Sequence, residues 1–133
     1  MEQKFYICKK CGTMVAMVKK GKCIPSCCGD EMEEIIPGTV EASREKHIPV
    51  IEQNGNIVKV TVGSVLHPMM DVHYIEWISI RTNLGNQRKV LKPNDEPTAS
   101  FALLDGEELI EAYAYCNLHG LWKATKQKYG ELA

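Results

Sequence analysis

Apolar and polar residues alternate with a period of two along much of this chain, the spacing of strands rather than helices. Val58, Val60 and Val62 are separated by Lys59 and Thr61, which predicts a strand with one buried face. From Tyr74 to Ile80 apolar residues occupy both faces, with Trp77 the largest, which predicts a strand covered on both sides. Ile110, Ala112, Ala114 and Cys116 fall on one face of a late strand, opposite Glu111, Tyr113 and Tyr115. Turn signals separate these runs: Asn54-Gly55, Asn83-Leu84-Gly85, Lys92-Pro93-Asn94-Asp95 and Asp105-Gly106. Short strands at this spacing predict an all-β fold, an antiparallel sandwich. Ser43 to Lys46 has room for one helical turn; no long amphipathic helix, internal repeat or low-complexity tract is present.

Residues 1–36 break this pattern. They hold five of the six cysteines and no histidine, with too little apolar material for an independent core, so a metal must staple them. Pro37-Gly38 punctuates the chain, the β pattern occupies 37–125, and 126–133 reads as a solvated tail. A length of 133 residues suits one domain with a small appendage. The 16 basic and 17 acidic residues nearly cancel, so no nucleic acid or membrane surface is expected as a partner. No apolar run approaches the roughly 18 residues that span a bilayer. The first eight residues lack a hydrophobic signal region, so a cytoplasmic location is expected. In that compartment cysteines read as metal ligands or reactive thiols rather than disulfides.

Cys8-Lys9-Lys10-Cys11 is a metal knuckle, and Cys27-Cys28-Gly29 supplies a second pair. Four thiolates make a tetrahedral site for zinc or a single iron, and the residues alone favour neither. Most such sites close with a second Cys-x2-Cys, so an adjacent pair is expected to distort the tetrahedron. Cys23 paired with either Cys27 or Cys28 is an open alternative, and a plain thiol is its simplest reading. All four histidines, His47, His67, His73 and His119, lie beside turns or strand ends, together with Cys116. One thiolate with several imidazoles suits a metal of borderline softness: iron, copper or zinc. Pro49 and Pro68 stiffen the backbone near His47 and His67, and Ala112 and Ala114 leave space beneath Cys116. A cupredoxin requires a methionine soon after the last histidine, and none follows His119. A mononuclear oxygenase uses two histidines and a carboxylate, leaving two histidines and the thiol unexplained. Copper–zinc dismutases lack a ligating cysteine. Four imidazoles in a plane over an axial thiolate leave one position for a small ligand.

These residues stand in an ordered set of strings. They are Cys8-x2-Cys11 with Cys27-Cys28, Glu45-Lys46-His47-Ile48-Pro49, Gly63-Ser64-Val65-Leu66-His67-Pro68 and His73-Tyr74-Ile75-Glu76-Trp77. Leu91-Lys92-Pro93 and Cys116-Asn117-Leu118-His119-Gly120-Leu121-Trp122-Lys123 complete it. Over nearly all its length the chain resembles the desulfoferrodoxins, the two-iron superoxide reductases of anaerobes. The resemblance implies a small desulforedoxin-like domain at 1–36, with rubredoxin-type iron on Cys8, Cys11, Cys27 and Cys28. An immunoglobulin-like antiparallel β-sandwich at 37–125 is implied to follow. Its active iron would take His47, His67, His73 and His119 in the plane and Cys116 on the axis, giving two irons per chain.

The implied reaction is one-electron reduction of superoxide to hydrogen peroxide with no oxygen released. The chain has no flavin or nicotinamide motif, so the implied electron donor is rubredoxin or a similar carrier. Backbone N–H groups of Leu118 and His119 are implied to donate to the Cys116 sulfur. Lys46 resembles a lysine that attracts superoxide and orients a proton-donating water. Glu45 resembles a glutamate that takes the sixth position on ferric iron. A homodimer is implied too, burying apolar residues of the small domain such as Phe5 and Ile7. Cys23 and a longer C-terminal tail depart from the family's pattern. The rival functions are metal storage without turnover and superoxide dismutation.

Overall fold

The computed structural model describes residues 2–126, and the chain divides into two compact units between Ile36 and Pro37. Beyond Lys126, the tail expected at 126–133 lies outside the described residues.

In the first unit, β1 (Phe5–Ile7) is the middle strand of an antiparallel sheet, flanked by β2 (Met14–Ala16) and β5 (Glu33–Ile35). A separate hairpin joins β3 (Ser26–Cys27) to β4 (Asp30–Glu31). The buried cluster is small: Tyr6, Cys8 and Met32, with Val15, Met17 and Cys27 partly covered against it. Phe5 is 2% exposed, which corrects the expectation that it offers open apolar surface. It lies on the middle strand, between Ala16 and Ile35, and is covered within its own chain. Ile7 is half-buried.

The second unit is an immunoglobulin-like antiparallel sandwich. After a single turn, α1 (Arg44–His47), come β6 (Pro49–Asn54), β7 (Ile57–Val62), β8 (Ile75–Thr82), β9 (Gly85–Val90), β10 (Thr98–Ala102), β11 (Leu109–Cys116) and β12 (Gly120–Thr125). One sheet has the order β10-β7-β6, the other β12-β11-β8-β9. Asn54-Gly55 turns β6 into β7, and Asn83 to Gly85 turns β8 into β9, as their turn chemistry predicts. Ile51, Val58, Val60 and Val62 of one sheet share a buried cluster with Ile75, Ile78, Ile80, Ala112 and Ala114 of the other. Each valine or isoleucine so buried contributes on the order of 1.5–3 kcal/mol.

The late strand differs from its predicted pattern at its start. A bulge between Leu109 and Glu111 shifts the register, so Leu109 joins the core while Ile110 is half-buried. Glu111, on the opposite face, is a charged residue only 3% exposed. Its carboxylate is satisfied by Arg81 Nε at 2.6 Å and Tyr113 Oη at 2.8 Å, with Lys123 Nζ at 3.7 Å. A buried carboxylate needs such partners to remain charged.

Candidate metal centres

Two clusters gather the candidate ligands, and within each cluster all ligand atoms lie within 4.8 Å of one another. The first joins Cys8, Cys11, Cys27 and Cys28. In the knuckle, Gly12 takes a φ of 82° and donates its N–H to the Cys8 carbonyl at 2.7 Å, curling Cys11 back toward Cys8. In the β3–β4 hairpin the two loop residues, Cys28 and Gly29, both have positive φ (53° and 82°). That is the conformation a two-residue hairpin loop demands, and it is unusual for a cysteine. It brings Cys28 Sγ to 3.9 Å from Cys27 Sγ, while Cys11 Sγ lies 3.5 Å from Cys27 Sγ. Metal–sulfur bonds of about 2.3 Å in a tetrahedron place sulfurs about 3.8 Å apart, so the spacing fits such an ion. An adjacent cysteine pair thus reaches near-tetrahedral spacing through the left-handed turn. Cys23 is exposed and stands outside this group.

The electrostatics agree with a cation. The Thr13 hydroxyl, 3.1 Å away, and the Thr13 backbone favour the Cys11 thiolate and lower its pKa to about 6. Its hydrogen bonds with Cys11 raise the pKa of Cys27, and those with Cys11 raise that of Cys28 to about 12. Thiols this close cannot all ionise unless positive charge sits among them.

The second cluster joins His47, His67, His73, His119 and Cys116. Its four imidazoles form a closed cycle. Ring centroids lie 4.7 Å apart for His47–His67 and His67–His73, 5.1 Å for His73–His119 and 4.9 Å for His119–His47. Neighbouring rings are nearly perpendicular, at 77–89°. His47 Nε2 lies 3.2 Å from His67 Nε2 and 3.1 Å from His119 Nδ1. Metal–nitrogen bonds of about 2.1 Å at right angles set neighbouring nitrogens about 3.0 Å apart, so the fit is close.

Tautomers sharpen this. His47 Nδ1 is 2.6 Å from the Ser43 carbonyl and His67 Nδ1 is 2.7 Å from the Pro68 carbonyl. A carbonyl only accepts, so both Nδ1 atoms carry the proton and both Nε2 atoms are left with lone pairs. Those lone pairs face each other at 3.2 Å. Protonation offers little relief, because burial lowers the pKa of His67 to about 4 and also lowers that of His47. His73 Nε2 is likewise buried, with no hydrogen-bond partner among the described residues. Unprotonated nitrogens converging in a buried space are what a metal ion resolves. Cys116, fully buried, lies with its Sγ 3.9 Å from His119 Nδ1. Burial raises its pKa, while backbone N–H groups of Leu118 and His119 donate to the sulfur and offset part of that rise.

The ligands converge because their loops are tied together. Val62 O accepts the His67 N–H at 2.8 Å, and Glu45 O accepts from Val65 N at 3.0 Å and Ser64 Oγ at 3.2 Å, which binds α1 to the His67 loop. Gly63 permits this approach: a Cβ there would fall 2.5 Å from the Glu45 carbonyl oxygen. Trp122 packs against the His47 ring at 5.1 Å and donates from Nε1 to the His119 carbonyl at 3.0 Å. The side-chain pattern could not reveal the Ser43 carbonyl, because a backbone acceptor has no residue signature. Glu45 and Lys46 are exposed on α1. The charge of Lys46 contributes to the lowered pKa of His47 and His73, so its ammonium acts at the cluster. Among the described residues, what anchors Glu45 is its carbonyl rather than its carboxylate.

The model of the desulfoferrodoxin family matches residues 39–125. A desulfoferrodoxin homolog from Archaeoglobus fulgidus is 46% identical, over 90% of this chain and 94% of its own length. The desulfoferrodoxin of Nitratidesulfovibrio vulgaris is 43% identical over 92% of this chain and 96% of its own. Among solved structures, the superoxide reductase from Treponema pallidum superposes with a TM-score of 0.81 at 38% identity, covering 94% of this chain and all of that one. A one-iron superoxide reductase from Giardia intestinalis matches 60% of this chain and 95% of its own, with a TM-score of 0.52 at 37% identity. On the family model and these identities, the chain belongs to the desulfoferrodoxin family.

Proposed function

We propose that this protein is a superoxide reductase: it takes superoxide to hydrogen peroxide with one electron and two protons and releases no oxygen. The carrying observation is the closed cycle of four imidazoles with facing lone pairs beside a buried thiol. His47, His67 and His73 would hold iron through Nε2, His119 through Nδ1, and Cys116 through its sulfur. When bound there, iron supplies the electron that superoxide receives. Cys8, Cys11, Cys27 and Cys28 would hold a second, rubredoxin-type iron, giving two per chain.

The chain's own residues have separable tasks. Burial keeps His47, His67 and His73 unprotonated at neutral pH, so none of these three must lose a proton to bind. The N–H groups of Leu118 and His119 stabilise negative charge on the Cys116 sulfur and moderate how much of it is donated. Lys46, close enough to bias His47 and His73, draws a small anion toward the exposed side of the cluster and orients a proton-donating water. Glu45, one residue earlier on α1, would supply a carboxylate that displaces product from the oxidised site. Electrons come from rubredoxin or a similar small carrier, in the cytoplasm, and the working form is a homodimer.

Metal analysis of anaerobically purified full-length protein tests the reading. About two irons per chain, with a thiolate-to-iron absorption band that responds to superoxide, is the expected result. Zinc in both sites would assign the protein to storage or structure instead.

A further inference from the structure

Asn117 separates Cys116 from the remaining ligand residue of its loop, and its side chain does not point back at that loop. Its Nδ2 donates to the Val72 carbonyl at 3.1 Å, and its Oδ1 accepts the Tyr74 N–H at 3.0 Å. Its own backbone N–H donates to the Tyr74 carbonyl at 3.2 Å. One residue therefore grips the peptide groups on both sides of His73. We infer that Asn117 is a positioning residue that holds His73 with the other four ligand residues, an inference that rests on the metal reading above.

Three observations give this clamp its weight. His47 and His67 are each oriented by a ring-to-carbonyl hydrogen bond, and His73 makes none among the described residues. His73 is also less buried than those two, so packing constrains it less. Its loop is otherwise closed by the narrow bridge between Met70 and His73, with N–H to carbonyl distances of 2.9 and 3.0 Å. That bridge sets the shape of the loop, and the Asn117 amide ties the loop to the strand that carries Cys116 and leads to His119. Without the tie, Nε2 of His73 is free to drift from the other four ligand atoms.

The fold contains its own control. At the other end of the same strand pair, Asn83 makes an equivalent clamp. Its Nδ2 donates to Gly106 O at 3.0 Å, its Oδ1 accepts the Glu108 N–H at 2.7 Å, and its N–H donates to Glu108 O at 3.1 Å. Both asparagines lock a loop onto the β8–β11 pair, and one of those loops carries a ligand.

The test compares full-length, iron-loaded parent, Asn117→Ala, Asn117→Asp and Asn83→Ala. The readouts are the thiolate-to-iron band, the rate at which a ferrous chelator strips the second iron, and the melting temperature without metal. Asn117→Ala should release iron roughly 10- to 100-fold faster, the scale for losing a group that orients a ligand. Asn117→Asp, which keeps the acceptor for Tyr74 N–H and loses the donor to Val72 O, should fall between. Asn83→Ala should melt as early as Asn117→Ala yet release iron at the parent rate. Parent-like release from Asn117→Ala, or equally fast release from Asn83→Ala, overturns the positioning role. If Asn117→Ala does not fold, parent-like release from Asn117→Asp overturns it as well. A parent that shows no thiolate band overturns the metal reading itself, and the inference with it.

Discussion

The two ligand clusters are built in opposite orders. Around the four thiols, strands of two or three residues enclose a buried cluster of Tyr6, Cys8 and Met32, and Cys8 is itself a ligand candidate. Around the histidines, Cys116 is one member of a far larger core, in which Ile51, Val58, Val60, Ile75, Ile78, Ile80 and Phe101 are at most 1% exposed. Three of the four clustered thiols of the first unit are exposed or partly so, whereas Cys116, His47 and His67 are buried. In the first unit a metal would complete the fold. In the second, the fold gathers the candidate ligands by itself, and burial holds His47, His67 and His73 toward their neutral form.

The largest expected effect follows from that contrast. Cys11→Ser should unfold residues 1–36, because one lost thiolate removes the centre that its small cluster cannot replace. Proteolysis of that segment and loss of rubredoxin-like absorption would report it. The pre-reduced second site should still react with superoxide at the parent rate. A collapse of that rate, with the sandwich intact, would make the first site part of the chemistry.

Cys116→Ser reverses the pattern, sparing the fold and removing the function. The sandwich should persist at a cost of about 1–3 kcal/mol for a buried hydroxyl. The thiolate-to-iron band should vanish and the superoxide rate should fall by orders of magnitude. Survival of the band would mean that another sulfur serves the site, with Cys23 the first to test.

Acid should separate metal-free from metal-loaded sandwich. His67 has a folded pKa of about 4 against an ordinary 6.5, lowered first by burial. Between those values the unfolded chain binds a proton that the folded chain refuses. Metal-free stability should therefore be full above about pH 6.5 and decline as pH falls toward 4, by up to about 1.4 kcal/mol per pH unit from His67 alone. Both tryptophans, Trp77 and Trp122, belong to the sandwich, so urea unfolding followed by their fluorescence isolates it. A flat profile over this range would show that the cluster is not held neutral by the fold.

The smallest effect concerns approach rather than binding. Lys46→Ile should slow superoxide capture roughly ten-fold, the lower end of electrostatic steering, and flatten its salt dependence. Parent-like capture with parent-like salt dependence would leave Lys46 a surface lysine.

Much of this contrast could be read from the chain itself, for physical reasons. Val58, Val60 and Val62 alternate because one face of β7 meets the core, and the histidines flank turns because strand ends are where loops converge. Other elements left no such trace. β9, Gly85–Val90, is mostly exposed and polar, so no apolar face announced it. The bulge that substitutes Leu109 for Ile110 in the core, and the Arg81–Glu111–Tyr113 network, depend on partners distant in sequence. Spacing left Cys23, Cys27 and Cys28 as alternatives; the positive φ of Cys28 draws it in beside Cys27, while Cys23 stays outside. The proton positions on His47 and His67 depend on the Ser43 and Pro68 carbonyls, which only the folded backbone places.

A histidine–cysteine cluster that reduces superoxide and one that dismutates it leave different products. The most direct measurement mixes the pre-reduced full-length protein with a sub-stoichiometric pulse of superoxide under anaerobic conditions and quantifies both peroxide and oxygen. Reduction should form one peroxide for each superoxide consumed, with no oxygen. Half that peroxide yield accompanied by an equal amount of oxygen would contradict it.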